Sequence, residues 1–308
     1  MKKTIFLFSG QGSQYPGMGE ELIPLSPHAG EIFAAAQDIL GFDVQKACLS
    51  GTEEELAETQ VSQPCIMTVS LLALDAVRSR GVSCIGVAGH SLGEYAAMVA
   101  AGMLTLEDGF RVIKARAAAM QRCAKAYPGA MYAIIGSDAD TIAKVCEETE
   151  GYVLAVNYNS PQQTAIAGET SAAAKAAETL AGMGARAVQL KVSAAFHSRL
   201  MQPAADEFVT AIKGIPFEAA KTPFYTNLTG EKMTDFTDLP AYLGRHLVSP
   251  VQFVQELQNM ANDGAACYLE LGPGKVLTGL AKRTLKGCEA LNVENQKSFD
   301  KAMQALAE

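Results

Sequence analysis

The sequence predicts an α/β protein, in which a body built on a parallel sheet is interrupted by a small α+β insert. Three observations support this prediction: short apolar runs that end at glycine-rich turns, long amphipathic segments between those runs, and a middle stretch of short alternating elements. The 308 residues are 49% hydrophobic and 19% charged, which is typical of a globular protein with a sizeable core.

The chain begins with a strand and a turn. Residues 4–8 form a short apolar run that predicts a buried strand, and the glycine-rich segment 9–14 follows it as a turn. The clearest early helix is predicted over residues 63–80, with Ser62 as its cap and Pro64 in its first turn.

A second strand, a sharp turn and a helix follow. Residues 84–88 predict another buried strand, and residues 92–101 are small and apolar enough to form a helix packed tightly on it. A longer helix is predicted over residues 106–124, because Thr105 and Asp108 form a capping-box-like arrangement ahead of an apolar stripe.

The pattern changes at the Tyr-Pro-Gly segment that starts at Tyr127. Strands are predicted at 130–135, 153–158, 163–167 and 185–192, and helices at 139–148 and 171–183. This βαββαβ order is that of the ferredoxin-like, split-βαβ arrangement. We therefore predict an insert at residues 127–193.

After the insert the chain returns to the body. Helices are predicted at 201–213 and 250–264, strands at 224–227 and 267–271, and a final lysine-rich helix after Gly274. The body then consists of residues 1–126 and 194–308.

Charge and cysteine content exclude several classes of function. The net charge of −8 disfavours binding to nucleic acid or to anionic membranes. The seven cysteines form no Cys-x-x-Cys pair and no zinc-site spacing, so we expect reduced thiols and no metal. The N-terminal apolar run is too short for a signal peptide, and the longest apolar stretch, near residues 65–74, is too short to span a bilayer. These features predict a cytoplasmic protein.

Ser91 lies at the centre of Gly89-His90-Ser91-Leu92-Gly93, which matches the Gly-x-Ser-x-Gly nucleophile elbow. The flanking glycines permit a strained turn between a strand and a helix, and both predicted neighbours are of the required type. The alternative is a tight glycine turn with an incidental serine. The context favours an α/β-hydrolase-like body in which Ser91 is the covalent nucleophile of an acyl-transfer reaction.

A serine hydroxyl needs a base, because it is a weak nucleophile at neutral pH. The sequence offers four histidines: His28, His90, His197 and His246. His90 adjoins the nucleophile and is expected to point away from it. His28 is predicted to lie in a loop, and His246 at a helix end or in a loop. His197 follows a predicted strand and lies after the serine in the chain, as in α/β hydrolases. We predict that His197 is the base, the alternative being a structural histidine.

An oxyanion hole is expected from two backbone N–H groups. Leu92 supplies the N–H after the nucleophile, and Gln11, in the first glycine-rich turn, supplies the second. The alternatives for this turn are a phosphate or dinucleotide loop, whose glycine and lysine spacing it lacks, and a plain structural turn. At this point an esterase, a lipase, a thioesterase and an acyltransferase fit equally well.

A set of ordered motifs separates these activities by resemblance. Across essentially the whole chain the sequence resembles the malonyl-CoA:acyl carrier protein transacylases of bacterial type II fatty acid synthesis. The matching motifs are Gly10-Gln11-Gly12-Ser13-Gln14, Gln63-Pro64, Gly89-His90-Ser91-Leu92-Gly93-Glu94, Arg116 with Met120-Gln121, Asn159-Ser160-Pro161, Phe196-His197-Ser198 and Ser249-Pro250-Val251-Gln252.

The resemblance implies roles for further residues. Arg116 is expected to pair with the malonyl carboxylate, for which a guanidinium offers a fixed fork. The backbone carbonyl of Gln252 is expected to orient His197 in place of a triad carboxylate, which makes the pair a Ser-His dyad. Phe196 is expected to crowd a methyl-branched substrate. Gln63 and Asn159 are further candidates near the substrate. One departure is that Ala117 follows the arginine, where the family commonly has glycine.

The implied reaction is ping-pong transfer of malonyl from malonyl-CoA to the phosphopantetheine thiol of acyl carrier protein, with no cofactor. Lys275, Lys282, Arg283 and Lys286 are expected to form a basic rim for the carrier, or else a solvated helix face. Size and composition fit a monomer. Alternatives are an acyltransferase of a polyketide pathway, a serine esterase or thioesterase, and a non-enzymatic carrier-binding module.

Overall fold

The computed structural model describes residues 2–307. Its strands are β1 (Thr4–Phe8), β2 (Gly86–Gly89), β3 (Ala130–Ile135), β4 (Val153–Ser160), β5 (Gln163–Gly168), β6 (Arg186–Gln189), β7 (Cys267–Leu271) and β8 (Glu289–Val293). Its α-helices are α1 (Ala29–Leu40), α2 (Val44–Ser50), α3 (Glu53–Ala57), α4 (Thr59–Ser79), α5 (Gly93–Ala100), α6 (Leu106–Ala126), α7 (Ala139–Glu148), α8 (Thr170–Gly182), α9 (Gln202–Ile212), α10 (Leu239–Val248), α11 (Phe253–Asn262), α12 (Val276–Thr284) and α13 (Gln296–Ala307). Short 3-10 helices occupy Glu20–Leu25 and Arg199–Met201.

The body is built on a parallel sheet with strand order β2-β1-β7-β8. Strand β1 is central and wholly buried, because each of its five residues is covered by a neighbouring strand or helix. Phe8 at its end pairs with Gly89 of β2 and Leu271 of β7. The carboxyl ends of parallel strands share one edge, so the turns after β1 and β2 lie together there. The predicted parallel-sheet body is confirmed.

The second sheet is antiparallel, with strand order β4-β5-β3-β6. It has the predicted βαββαβ order, and α7 and α8 cover it around a small core that includes Ile134, Ile166 and Leu180. Strand β4 is tied to the body, since the N–H of Tyr158 donates to the carbonyl of Val251 at 2.9 Å. The mixed fold is as predicted, and all four of these strands lie within residues 127–193; the domain boundaries stay a prediction.

Helix α4 begins earlier than predicted. It starts at Thr59, so Pro64 lies inside the helix and Ser62 is not its cap. The N–H of Thr59 donates to the side chain of Gln121 on α6 at 2.9 Å, which anchors this earlier start. Pro64 removes one helical hydrogen bond, and burial of the helix in the core offsets that loss.

The predicted strand at residues 224–227 is wrong. Phe224 and Tyr225 make only single bridges, to Val87 and Lys232, because the chain turns away at Asn227. The helix after Gly274 is also not the last element, since β8 and α13 follow it.

Helix α4 is the one helix within residues 2–307 that has the length and composition to cross a membrane. Its most apolar 18-residue window, however, is 83% buried against the rest of the fold. The helix therefore serves as a core element, and its apolar character reflects packing on both sides.

Candidate active site

Ser91 occupies a sharp turn between β2 and α5. Its φ is 53°, and within residues 2–307 the only other non-glycine residue with positive φ is His197, at 62°. A Cβ on Gly89 would overlap the backbone of Gly93, and a Cβ on Gly93 would overlap the carbonyl of Phe8. The two glycines are therefore required by close backbone approach, and together they present the Ser91 side chain at the edge of the sheet.

His197 meets Ser91 directly. The Ser91 Oγ and His197 Nε2 atoms are 2.7 Å apart, and His197 Nδ1 lies 3.1 Å from the carbonyl oxygens of both His246 and Ser249. Carbonyls only accept hydrogen bonds, so Nδ1 carries the proton and Nε2 is free to accept the Ser91 hydroxyl proton.

The surroundings of His197 keep its ring neutral. The residue is only 3% exposed. The pKa of His197 is lowered to about 3, mainly by burial and secondly by the nearby Arg116 cation. Neutral imidazole is the form that can act as a general base, and it is therefore the form present at neutral pH.

Arg116 reaches the same hydroxyl from α6. Its Nη2 donates to Ser91 Oγ at 3.1 Å, and its guanidinium lies over the ring of Tyr95 at 5.2 Å from the centroid. The side chain is 1% exposed, and burial lowers its pKa. No carboxylate in residues 2–307 forms an ion pair with it, and its Nε has no hydrogen-bond partner there. A buried cation in this state offers a charge-complementary site for an anionic substrate group.

A cavity of about 510 Å³ opens beside the dyad, between the body and the second sheet. Ser91, His197, Phe196 and Gln11 contribute to its wall. Other lining residues come from both sides of the cleft: Gly12, Gln14, Tyr15, Pro16, Glu53, Leu56, Ala57, His90 and Met120 from the body, and Met131, Asn157, Gln189, Leu190, Lys191 and Val192 from the second sheet and the segment after it. An extended ligand can therefore approach Ser91 through this cleft.

The two residues predicted to supply oxyanion N–H groups lie next to Ser91 in the chain and in the wall of the same cavity. Leu92 directly precedes α5, whose N-terminus points at the turn, and Gln11 follows β1 and lines the cavity. Within the described chain, neither N–H donates to another protein group. Helix N-termini favour negative charge, so this geometry suits a developing oxyanion.

Comparison with known proteins gives the same picture over the full length. The acyl transferase domain family matches residues 5–302. Malonyl CoA-acyl carrier protein transacylase of Bacillus subtilis is 36% identical over 312 residues, covering 100% of this chain and 98% of that protein. The Escherichia coli K12 protein of the same name is 40% identical, covering 92% of this chain and 93% of its own.

This chain belongs to the acyl transferase family, among the malonyl CoA-acyl carrier protein transacylases.

Solved structures of the family have the same fold. The transacylase from Clostridium perfringens superposes with a TM-score of 0.94 at 34% identity, covering 99% of this chain and 97% of that chain. A malonyl-transacylase in complex with its type II polyketide synthase acyl-carrier protein gives 0.94 at 35% identity, covering 99% and 100%.

The predicted role of Gln252 is wrong in detail. Its carbonyl accepts from the N–H of Glu256 at 2.9 Å and so begins α11, which turns it away from His197. The histidine is oriented instead by the carbonyls of His246 and Ser249, which end and follow α10. Backbone carbonyls carry no side-chain signature, so the sequence pointed to the right segment and the wrong residue.

Gln63 and Asn159 lie behind the cavity and do not line it. The Nε2 of Gln63 donates to Gln11 Oε1 at 3.2 Å, and Asn159 Oδ1 lies 2.7 Å from His90 Nε2. Each therefore supports a residue of the cavity wall and makes no direct contact with the cavity. Both lie close behind the site, and their predicted place near the substrate stays a prediction.

Three residues near the dyad were not predicted: Glu94, Asn227 and the side chain of His246. Glu94 follows the motif directly, where an acidic residue in a first helical turn is ordinarily explained by the helix dipole. Asn227 lies in a Thr-Asn-Leu-Thr-Gly turn, and nothing in the pattern separates it from an ordinary turn asparagine. The contact of Asn227 with Ser91, and the contacts of Glu94 and His246 with Asn227, depend on long-range folding and leave no local signal.

Proposed function

We propose that this protein transfers a malonyl group from malonyl-CoA to the phosphopantetheine thiol of an acyl carrier protein, through an ester on Ser91. The observation that carries the proposal is the buried, unpaired Arg116 at 3.1 Å from the nucleophile. An acyl chain without a carboxylate leaves this cation uncompensated, whereas malonyl supplies the matching charge.

In the first half-reaction, His197 Nε2 accepts the Ser91 hydroxyl proton as Oγ attacks the thioester carbonyl. The N–H groups of Gln11 and Leu92 stabilise the oxyanion of the tetrahedral intermediate. Its collapse breaks the C–S bond, and the leaving CoA thiolate takes the proton from His197. The product is malonyl-Ser91.

The second half-reaction reverses these roles. The carrier thiol gives its proton to His197 and attacks the ester carbonyl, which forms the same type of oxyanion. Collapse breaks the bond to Ser91 Oγ, which recovers its proton from His197. The chemistry uses only thiols, one hydroxyl and one imidazole, so the proposal includes no metal or redox cofactor.

Arg116 is proposed to hold the malonyl carboxylate along one edge of its guanidinium. The unpartnered Nε and the Nη2 that now donates to Ser91 Oγ lie on that edge. A bidentate carboxylate would therefore replace the bond to Oγ and free the hydroxyl for attack. Phe196, in the cavity wall, is proposed to disfavour a methyl branch next to the carbonyl.

The carrier is proposed to dock beside the cavity mouth, on the basic rim of Lys275, Lys282, Arg283 and Lys286. All four side chains are exposed on or next to α12. The start of α12 adjoins the glycine-rich turn, since Gly274 lies against Ser13. We further propose that the protein acts as a monomer in the cytoplasm.

A polyketide carrier is a second candidate acceptor. It is favoured by the similarity to the malonyl-transacylase in complex with its polyketide acyl-carrier protein, at 35% identity. Transfer rates to a fatty-acid carrier and to a polyketide carrier, measured side by side, distinguish the two.

Intact-mass spectrometry tests the main proposal. Incubation with malonyl-CoA is expected to add one malonyl group, which peptide mapping locates on Ser91 and which disappears when holo carrier protein is added. The Ser91→Ala variant is the control and is expected to acquire no adduct. A wild-type protein that remains unmodified, or an adduct that water removes as fast as the carrier does, would contradict the proposal.

A further inference from the structure

A group of buried polar side chains lies directly behind the dyad. We call it the buried cluster and define it as Glu94, Asn227, Tyr242, His246 and Glu256. Four of its members are fully buried and Tyr242 is 6% exposed. Its members come from α5, α10, α11 and the turn after Tyr225. The cluster is therefore formed by the packing of four separate segments.

We propose that Asn227 is a positioning residue, which sets the Ser91 backbone and the His197 ring relative to each other. This inference rests on the proposed function only in taking Ser91 and His197 as nucleophile and base. Asn227 touches neither the cavity nor the reacting atoms, and it acts through the backbone of the elbow and through His246.

Asn227 holds the elbow at two points, at the strained Ser91 and two residues before it. Its Oδ1 accepts from the N–H of Ser91 at 2.7 Å, and its Nδ2 donates to the carbonyl of Gly89 at 2.7 Å. With φ at 53°, the Ser91 N–H is turned away from the sheet and helix acceptors on either side. The side chain of Asn227 supplies the acceptor that this conformation requires.

The same amide oxygen also contacts His246, the residue whose carbonyl orients the His197 ring. Asn227 Oδ1 lies 3.2 Å from His246 Nε2, while the His246 carbonyl accepts from His197 Nδ1 at 3.1 Å. Because Oδ1 only accepts, His246 carries its proton on Nε2, and its Nδ1 accordingly has no hydrogen-bond partner within residues 2–307. One side chain therefore connects the nucleophile's backbone to the residue that orients the base.

The rest of the buried cluster fixes the Asn227 amide. Its Nδ2 also donates to Glu256 Oε1 at 2.6 Å, and its backbone N–H donates to Glu94 Oε1 at 2.5 Å. Tyr242 in turn donates its hydroxyl to the Glu94 carboxyl at 2.8 Å. Rotation of the amide would leave several buried groups unpaired, so its orientation is held firmly.

Two substitutions separate positioning from bulk stability. Asn227→Ala removes the acceptor and the donor together, whereas Asn227→Asp keeps an acceptor for the Ser91 N–H and loses the donor to Gly89 and Glu256. Asn259→Ala is the matched control, because the Asn259 amide donates to the carbonyl of Gly230 at 2.8 Å, in the same turn as Asn227, and makes no hydrogen bond to the dyad.

The experiment measures two rates on the full-length chain: labelling of Ser91 by phenylmethylsulfonyl fluoride and formation of malonyl-Ser91 from malonyl-CoA. We expect Asn227→Ala to lower both rates about 100-fold, and Asn227→Asp about 10-fold, because small displacements of reacting groups cost this much. The KM for malonyl-CoA is expected to change less than about 3-fold, since the cavity wall is untouched. Asn259→Ala should keep both rates.

The proposal would be overturned if folded Asn227→Ala were labelled by the sulfonyl fluoride at the wild-type rate. If that variant fails to fold, Asn227→Asp decides, and a wild-type labelling rate there would overturn it equally. If the wild-type protein reacts with the sulfonyl fluoride but not with malonyl-CoA, the proposed function fails while the comparison of labelling rates still tests Asn227.

Discussion

Ser91 and His197 are the two non-glycine residues with positive φ within residues 2–307, and their side chains meet at 2.7 Å. Left-handed backbone is unfavourable for residues with a Cβ, so each conformation must be held by its surroundings. Glycine contacts and Asn227 hold the first, and the carbonyls of His246 and Ser249 orient the second. The strain is thus concentrated at the proposed nucleophile and base.

Removing the base should abolish most of the acylation. His197→Ala is expected to slow formation of malonyl-Ser91 about 1000-fold, the usual contribution of a positioned general base. His28→Ala, which changes an exposed histidine, is the control and should have the wild-type rate. Rapid-quench mass spectrometry measures both, and a His197→Ala rate close to wild type would exclude this residue as the base.

The acylation rate should be insensitive to mild acid. Because the pKa of His197 is lowered to about 3, its ring stays neutral and active as pH falls, and activity is lost only as pH approaches that value. We expect a flat acylation rate from about pH 8 to about pH 5, where a histidine of ordinary pKa would already be protonated. A decline centred near the ordinary histidine pKa would contradict this assignment.

Glu94 should make folding stability depend on pH. Burial raises its pKa from 4.5 to about 8, so between these values the folded state keeps a proton that the unfolded state releases. Stability linked to Glu94 is then complete below the lower value and is lost as pH rises through the higher one. As pH rises through this window, the melting temperature of wild type should fall relative to that of Glu94→Gln. The melting temperature of Glu107→Gln, which changes an exposed residue, should follow that of wild type. Parallel curves for wild type and Glu94→Gln would contradict the raised pKa.

The second glycine of the elbow should not tolerate a side chain. In Gly93→Ala the new Cβ overlaps the Phe8 carbonyl, so the turn must shift. We expect a loss of about 3 kcal/mol in the free energy of unfolding, together with loss of acylation. Gly30→Ala, on the exposed face of α1 with open space around it, should be neutral or gain up to about 1 kcal/mol. Denaturant titration checks both, and equal stabilities would count against the packing described here.

Reversing charge on the basic rim should affect the second half-reaction alone. Lys282→Glu with Arg283→Glu is expected to raise the KM for an acidic carrier about 10-fold and to leave malonyl-Ser91 formation unchanged. Lys144→Glu with Lys175→Glu, on α7 and α8, makes the same change in net charge and is the control. An unchanged carrier KM would show that docking uses another surface.

Elements with strong local signals were predictable from the sequence. Strands β1, β3 and β7 are apolar runs with clear ends, and α7 begins where Asp138 caps it by accepting from the N–H of Thr141. Strand β8 was missed because only Ala290 and Val293 of its five residues are buried and its apolar character is weak. The local sequence pattern therefore located most of the elements. It failed where an element is buried by contacts with segments distant in the chain.

The candidate site divides in the same way. Ser91, His197 and Arg116 have side chains whose chemistry and motif context could be recognised in the sequence, and the structure brings them together. The carbonyls that orient His197 and the amide of Asn227 could not be recognised, because backbone groups and a turn asparagine have no distinctive pattern. Their positions follow from how α10 and the turn before it pack against the elbow.

The measurement that tests the central claim most directly is the rate of Ser91 acylation by malonyl-CoA and by acetyl-CoA, in wild type and in Arg116→Ala. We expect the substitution to slow malonyl transfer about 1000-fold, because it removes the buried guanidinium proposed to pair with the malonyl carboxylate. Acetyl transfer, which involves no carboxylate, is expected to change less than about 10-fold. Arg122→Ala, which removes an exposed arginine bound to Glu207, is the control. Equal losses for malonyl and acetyl would contradict the account, since Arg116 would then not recognise the carboxylate.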